Sequence, residues 1–153
     1  MLYLVQHGEA VSKEEDPDRP LSTQGESDVT QMAAFLANTG ISVDRIVHSG
    51  KTRAKQTAGI FAKFISENGA TEAVKGINPN DSVEAFADQL EAWNTPTMVV
   101  GHLPFMAKMV SHLMVQRSDF ALLKYQPGSV VCMAKDDEGK WLLQWMVIPT
   151  LLT

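Results

Sequence analysis

Leu2-Tyr3-Leu4-Val5-Gln6-His7-Gly8 is an apolar run that stops on a histidine followed by a glycine. A short run of this kind, with β-branched and aromatic members, reads as a buried strand. In an open α/β sheet the end of such a strand lies at the edge where ligands bind. Gly8 reads as leaving room for whatever approaches the imidazole. A lone strand-end histidine is more often satisfied by backbone groups than by a ligand. Here the device is repeated, because Thr97-Met98-Val99-Val100 runs into Gly101-His102. Two strands that each deliver a histidine beside a glycine point to one shared site.

The 153 residues suffice for a single domain, residues 1–153, around one core. The hydrophobic share of 44% and charged share of 20% are ordinary for a soluble globular chain. A net charge of −5 with no basic run argues against nucleic acid or an anionic membrane as partner. Any phosphate site must then be a local basic pocket in an acidic molecule. Cys132 is the only cysteine, so no internal disulfide forms and a cytoplasmic location is expected. The first residues carry no basic segment and too short an apolar stretch for a signal peptide or a membrane span.

Alternation of strands and helices continues outward from these runs. Residues 9–20 read as a polar loop. Ser22 or Thr23 caps a helix with a stripe at Val29, Met32, Ala33 and Leu36, which Asn38-Thr39-Gly40 ends. A second strand is expected over Val43–Val47. A helix over Thr52–Ile65 is expected to bury Thr57, Ile60, Phe61, Phe64 and Ile65. Asp81 or Ser82 caps a third helix with Val83, Phe86, Ala87 and Leu90 inward. A fourth helix from about Pro104 carries Met106, Met109, Val110, Leu113 and Met114, a methionine-rich stripe read as core. Ser129–Ala134 and Trp141–Ile148 form a terminal hairpin around Asp136-Asp137-Glu138-Gly139. The pattern predicts an α/β three-layer sandwich whose mixed, mostly parallel sheet is covered by helices on both faces.

Metal and nucleophile motifs fit poorly. His7-Gly8-Glu9 has the H-x-E form of a zinc deaminase, but the required cysteine pair is absent. There is no H-E-x-x-H, G-x-S-x-G or Walker-type loop; no metal and no cofactor are expected. His48 and His112 read as structural or solvated. Ser49-Gly50-Lys51-Thr52-Arg53-Ala54-Lys55-Gln56-Thr57 follows a strand and opens a helix, where unpaired amides and the helix dipole favour an anion. Arg53, in the first turn, can set a guanidinium fork on phosphate oxygens. Two imidazoles, a guanidinium and a helix N-terminus together suit a phosphoryl group.

On these stretches the chain resembles the histidine phosphatase superfamily, with its phosphoglycerate mutase-like fold, and within it the small SixA-type phosphohistidine phosphatase branch. Gln6-His7-Gly8 is similar to its Arg-His-Gly signature, and Arg19-Pro20-Leu21-Ser22-Thr23-Gln24-Gly25 to its R/D-x-P-L-T-x-x-G stretch. Ser49 to Thr57 is similar to S-x-x-x-R-A-x-Q-T, and Gly101-His102-Leu103-Pro104 to G/S-H-x-P. The resemblance implies that His7 is the nucleophile that becomes phosphorylated, while Arg53 and His102 hold the phosphoryl oxygens, with Gln6 and Gly8 at the wall of the phosphate site. It implies a phosphohistidine phosphatase acting on a phosphorylated substrate such as a phosphohistidine-carrying protein of a phosphorelay.

Such chemistry needs a neutral His7 to attack phosphorus in line, and cations around the equatorial oxygens. Arg53 is permanently charged, and His102, if protonated, would add a second positive charge. Larger members of the superfamily use an acid to protonate an alkoxide. Residues 76–81 offer only Asp81, read as a capping residue, which favours a leaving group such as imidazole. Gln6, where the signature has arginine, can donate a hydrogen bond but no charge. A charge-assisted bond exceeds a neutral one by roughly 1 kcal/mol, so Gln6 implies a rate lower by about tenfold. Two rivals stand beside the enzyme reading: a catalytically weak phospho-ligand-binding or regulatory domain, and a phosphatase of a small phosphoester.

Overall fold

A computed structural model describes residues 1–152. Strand β1 (Leu2–Gln6) is followed by helix α1 (Thr23–Asn38), β2 (Arg45–His48), α2 (Thr52–Ile65), β3 (Glu72–Ala73) and α3 (Val83–Leu90). Then come β4 (Thr97–Gly101), α4 (Phe105–Val115), β5 (Val130–Lys135), β6 (Trp141–Val147) and a short 3-10 turn (Pro149–Leu151). The strands form one sheet in the order β3-β2-β4-β1-β5-β6. Pairings from β3 across to β1 are parallel, and those from β1 to β6 antiparallel, so the sheet is mixed with a parallel half.

Alternation along β1 sorts its side chains between two cores. Leu2 and Leu4 join Val99, Phe86, Phe105, Met106 and Met109 beneath α3 and α4. Tyr3 and Val5 join Met98, Val100, Met32, Leu36 and Phe61 beneath α1 and α2. Covering both faces in this way explains why the central strands are apolar throughout rather than alternating. The register of the parallel half is what builds the site. Gln6 lies opposite Gly101 and His48 opposite Val100, so β1, β2 and β4 end almost level. The His7 N–H donates to the Gly101 carbonyl at 3.0 Å, which brings His7 alongside His102.

Several local expectations shift. The second strand begins at Arg45 rather than Val43, because Val43 donates its N–H to Ile65 O and makes an isolated bridge to Ser66. Helix α2 has the expected span, but its buried arc is Ala54, Thr57, Ala58, Phe61, Ala62 and Ile65. Phe64 is 42% exposed, for at 100° per residue it falls outside that arc with the half-buried Ile60. The small alanines face the sheet, allowing the helix to sit close to it. Ala87 and Met114 likewise lie at the margins of their stripes. Ser22 and Ser82 cap α1 and α3 by accepting the N–H of Gly25 and Ala85. Among the described residues no helix is long and apolar enough to cross a membrane.

Candidate active site

His7 emerges at the end of β1 with its two ring nitrogens in different surroundings. Nδ1 lies 2.7 Å from the Gly8 carbonyl, which can only accept, so Nδ1 carries the proton and Nε2 keeps its lone pair. Arg53 Nε donates to that Nε2 at 3.3 Å from the first turn of α2. The His102 ring stands 5.1 Å from the His7 ring, centroid to centroid, tilted by 56°. Its Nε2 is 2.6 Å from Ser49 Oγ, which also accepts the Lys51 N–H, while its buried Nδ1 has no partner. The structure therefore brings together His7, Arg53 and His102 at the ends of β1 and β4 and the start of α2. Lys51, at the N-cap of α2, makes no side-chain cap bond, so that helix's first amides remain available.

Gln6 is buried beside this cluster, and its Oε1 has no hydrogen-bond partner. Gly8 corrects the sequence reading. A Cβ there would lie 2.7 Å from Val29 Cγ2 and 3.1 Å from Gly25 O, so α1 requires the glycine rather than an incoming ligand. Its N–H donates to Thr57 Oγ1, and that hydroxyl donates to Arg53 O. The Gly8 amide is thus spent on tying β1 to α2 and is not a free donor for phosphate. His48 is buried at the end of β2 and accepts the Gly50 N–H on Nδ1. His112 lies two turns into α4, a helix that starts beside His102 and leads away from it. Asp81 accepts the Asn78 N–H and is the only carboxylate of residues 76–81.

Electrostatics settle the charge of the two imidazoles. Burial is the main cause that lowers the His7 pKa to about 4; the Gly8 carbonyl opposes it, and Arg53 and Arg19 reinforce it. His102 falls to about 3, again mainly by burial, with His7, Arg53, Lys51 and Arg19 adding to the effect. Both imidazoles are neutral at pH 7. His7 is ready to attack, but His102 does not by itself supply the second positive charge that its protonated form would add. Arg53 itself is pulled below its usual pKa by burial and then by Arg19. Neither arginine forms an ion pair among the described residues; the ion pairs there are Arg45–Glu72, Arg117–Asp119, Lys135–Glu91 and Lys140–Glu138. Uncompensated cations beside an imidazole lone pair whose one partner is the long Arg53 contact make a pocket for an anion that can accept a nucleophile.

The sequence reading did not assign site roles to Ser49, Thr57 or Arg19, although all three lie within the motifs quoted for it. Ser49 and Thr57 looked like ordinary helix-start and helix-face residues. Nothing in their spacing reveals that one hydroxyl seats His102 and the other bridges two elements.

Comparison with known proteins agrees with this architecture. The family model described as histidine phosphatase superfamily (branch 1) matches residues 2–78. An uncharacterised protein of Picosynechococcus sp. is 37% identical over 111 residues, covering 67% of this chain and 66% of the relative. This chain thus spans just under two thirds of that relative's length. The phosphohistidine phosphatase SixA of Escherichia coli is 22% identical over 153 residues, covering 97% of this chain and 93% of that protein. The solved structure of a protein histidine phosphatase SixA complexed with tungstate has a TM-score of 0.86 at 22% identity, covering 99% of both chains.

Proposed function

Since the chain belongs to the histidine phosphatase superfamily, branch 1, we propose that it is a phosphohistidine phosphatase that works through a phosphorylated His7. The observation that carries this reading is the state of the His7 ring, with Nδ1–H held by the Gly8 carbonyl and the Nε2 lone pair facing Arg53. In the first step Nε2 bonds to phosphorus as the bond from phosphorus to the substrate's imidazole nitrogen breaks, and that ring, protonated on its other nitrogen, departs as neutral imidazole. In the second, water attacks phospho-His7 and gives up a proton to solvent, the P–Nε2 bond breaks to return neutral His7 with its Nδ1–H, and phosphate leaves. Splitting the hydrolysis into two displacements lowers the barrier of each.

Arg53 stays charged throughout and stabilises the oxygens as negative charge gathers on them. A dianionic phosphoryl group entering the pocket favours the protonated form of His102, which then joins the oxygens as a donor. Its Nε2 is tied to Ser49 Oγ and its Nδ1 has no partner, so the ring is held in place with one nitrogen uncommitted. Imidazole, with a conjugate-acid pKa of about 6.5, departs far more readily than an alkoxide. Asp81 is committed to Asn78, so a substrate that needs no strong acid suits this site.

The test is a substrate panel. The chain is incubated with a phosphohistidine-carrying protein, free phosphohistidine, p-nitrophenyl phosphate and sugar phosphates, and released phosphate is measured. Fast release from phosphohistidine and little from sugar phosphates is expected. Preference for a sugar phosphate would favour the small-phosphoester reading, and tight binding without release would favour a sensing domain.

A further inference from the structure

We propose that Arg19 is the second anion-binding cation of this site, supplying from the neighbouring loop the charge that Gln6 lacks. The inference rests on the phosphate-site reading above and names a residue for it. Residues 10–21 form a strap closed on itself. Val11 N–H donates to Pro20 O at 2.9 Å, and Ala10 and Leu21 form an antiparallel bridge. Leu21 N–H donates to Gln56 Oε1 at 2.7 Å, and Gln56 lies on α2 three residues beyond Arg53, on the same helix face. The strap therefore ends beside Arg53, and Arg19 stands two residues before that anchor.

Arg19 is held there in an unusual way. Its φ of 47° lies in the left-handed region, which a non-glycine residue adopts at a cost that surrounding structure must offset. Its N–H donates to Asp16 O, and its Nε donates to Val11 O at 3.0 Å, which orients the guanidinium. The terminal nitrogens have no acceptor among the described residues. Asp16 and Asp18 flank it in sequence, but neither forms an ion pair with it among the described residues, and Asp16 Oδ1 accepts the Asp18 N–H. Arg19 also acts on the protonation of His7, Arg53 and His102, in each case as a contribution smaller than burial. An oriented, unpaired guanidinium next to a second unpaired guanidinium is unfavourable unless an anion comes between them. A phosphoryl group bound at His7 is such an anion, and a guanidinium edge suits two of its oxygens.

Position 6 explains why the strap matters in this chain. Gln6 is buried with an unpartnered oxygen and offers no charge. If Arg19 serves in its place, the two positions substitute for one another, and their effects on anion affinity are not additive. Binding of inorganic phosphate is measured by calorimetry for the wild-type chain, Arg19→Gln, Arg19→Lys, Gln6→Arg and the double variant Gln6→Arg/Arg19→Gln.

Loss of the charge-assisted contact in Arg19→Gln should weaken phosphate about tenfold or more. Arg19→Lys should retain most of the affinity, because it keeps the charge. Gln6→Arg should restore most of what Arg19→Gln loses, yet change the wild-type chain by less than about threefold. Wild-type affinity in Arg19→Gln overturns the proposal, and so do additive effects at the two positions. A loss that neither lysine nor Gln6→Arg restores marks Arg19 as a structural part of the strap and also overturns it. A wild-type chain that binds no phosphate overturns this proposal together with the phosphatase reading; binding that ignores Arg19 overturns this one alone.

Discussion

Adding a single methyl group at Gly25 should unsettle both the fold and the site. Gly25 sits in the first turn of α1, and a Cβ on it would lie 2.0 Å from Glu9 O, 2.8 Å from Glu9 N and 2.9 Å from Glu9 C. Carbon approaches a carbonyl oxygen comfortably at about 3.3 Å, so helix and strand end must separate by roughly 1 Å. The atoms in the way are backbone and cannot swing aside as a side chain would. Inserting a carbon into packed surroundings costs about 1–3 kcal/mol, against the roughly 0.5–1 kcal/mol that alanine gains over glycine in a helix. Gly59, in α2, supplies the control, because a Cβ there meets nothing within 4 Å. With about 2–4 °C of Tm per kcal/mol for a chain this size, Gly59→Ala should gain roughly 2 °C, while Gly25→Ala, at the upper end of the insertion cost and so about 2 kcal/mol net, should lose roughly 4–8 °C. Glu9 is separated from His7 only by Gly8, so the displaced backbone carries the imidazole with it. A shift of about 1 Å at a reacting group can cost on the order of 100-fold in rate. Thermal unfolding and phosphate release from phosphohistidine measure the two effects. Gly25→Ala as stable and as active as wild type would refute the packing argument.

Arg53→Ala should weaken inhibition by inorganic phosphate and lower turnover, each by about 10–100-fold, since one charge serves both ground and transition states. Steady-state kinetics with phosphate as inhibitor checks this, and a fall in turnover with unchanged inhibition would contradict it. Stability should fall as pH drops below about 6.5, the ordinary histidine value. In that range the unfolded chain takes up protons that folded His7 and His102, with pKa values of about 4 and 3, do not. Between pH 6.5 and 5 each histidine should remove up to about 2 kcal/mol, and added phosphate should reduce the loss by favouring protonated His102. Urea unfolding at pH 7 and 5, in wild type and in the His7→Ala/His102→Ala variant, isolates the effect. An equal pH slope in the two would contradict it.

Much of the fold was legible because its signals are local. Apolar runs at 2–5 and 97–100 pair in parallel in the central sheet, and Ser22 and Ser82 cap helices as their chemistry suggests. The strand register could not be read, yet it is the Gln6–Gly101 pairing that turns two separate strand-end histidines into neighbours. Phe64 misled because aromatic character suggests burial, whereas α2 packs through Ala54, Ala58 and Ala62. Glu72–Ala73 is too short to show a period, and its strand exists only through pairing with β2. Gly8 was assigned to the ligand because sequence alone does not show that α1 lies against it. The charge state of His102 could not be read, because an intrinsic pKa near neutrality leaves it open; burial at the end of β4 settles it as neutral. Arg19 was hidden in a loop whose closure depends on long-range bonds to Gln56 and across the strap.

The most direct test of the account is the covalent step at His7. The chain is mixed with phosphohistidine and quenched rapidly without acid, and its peptides are weighed by mass spectrometry. An acid-labile, base-stable gain of one phosphoryl group on the peptide containing His7 is predicted. It should be absent in His7→Ala, which should also release no phosphate, and present in His112→Ala at near-normal activity. Substantial phosphate release by His7→Ala, or a phosphoryl group found on another residue during turnover, would contradict the assignment of His7 as the nucleophile.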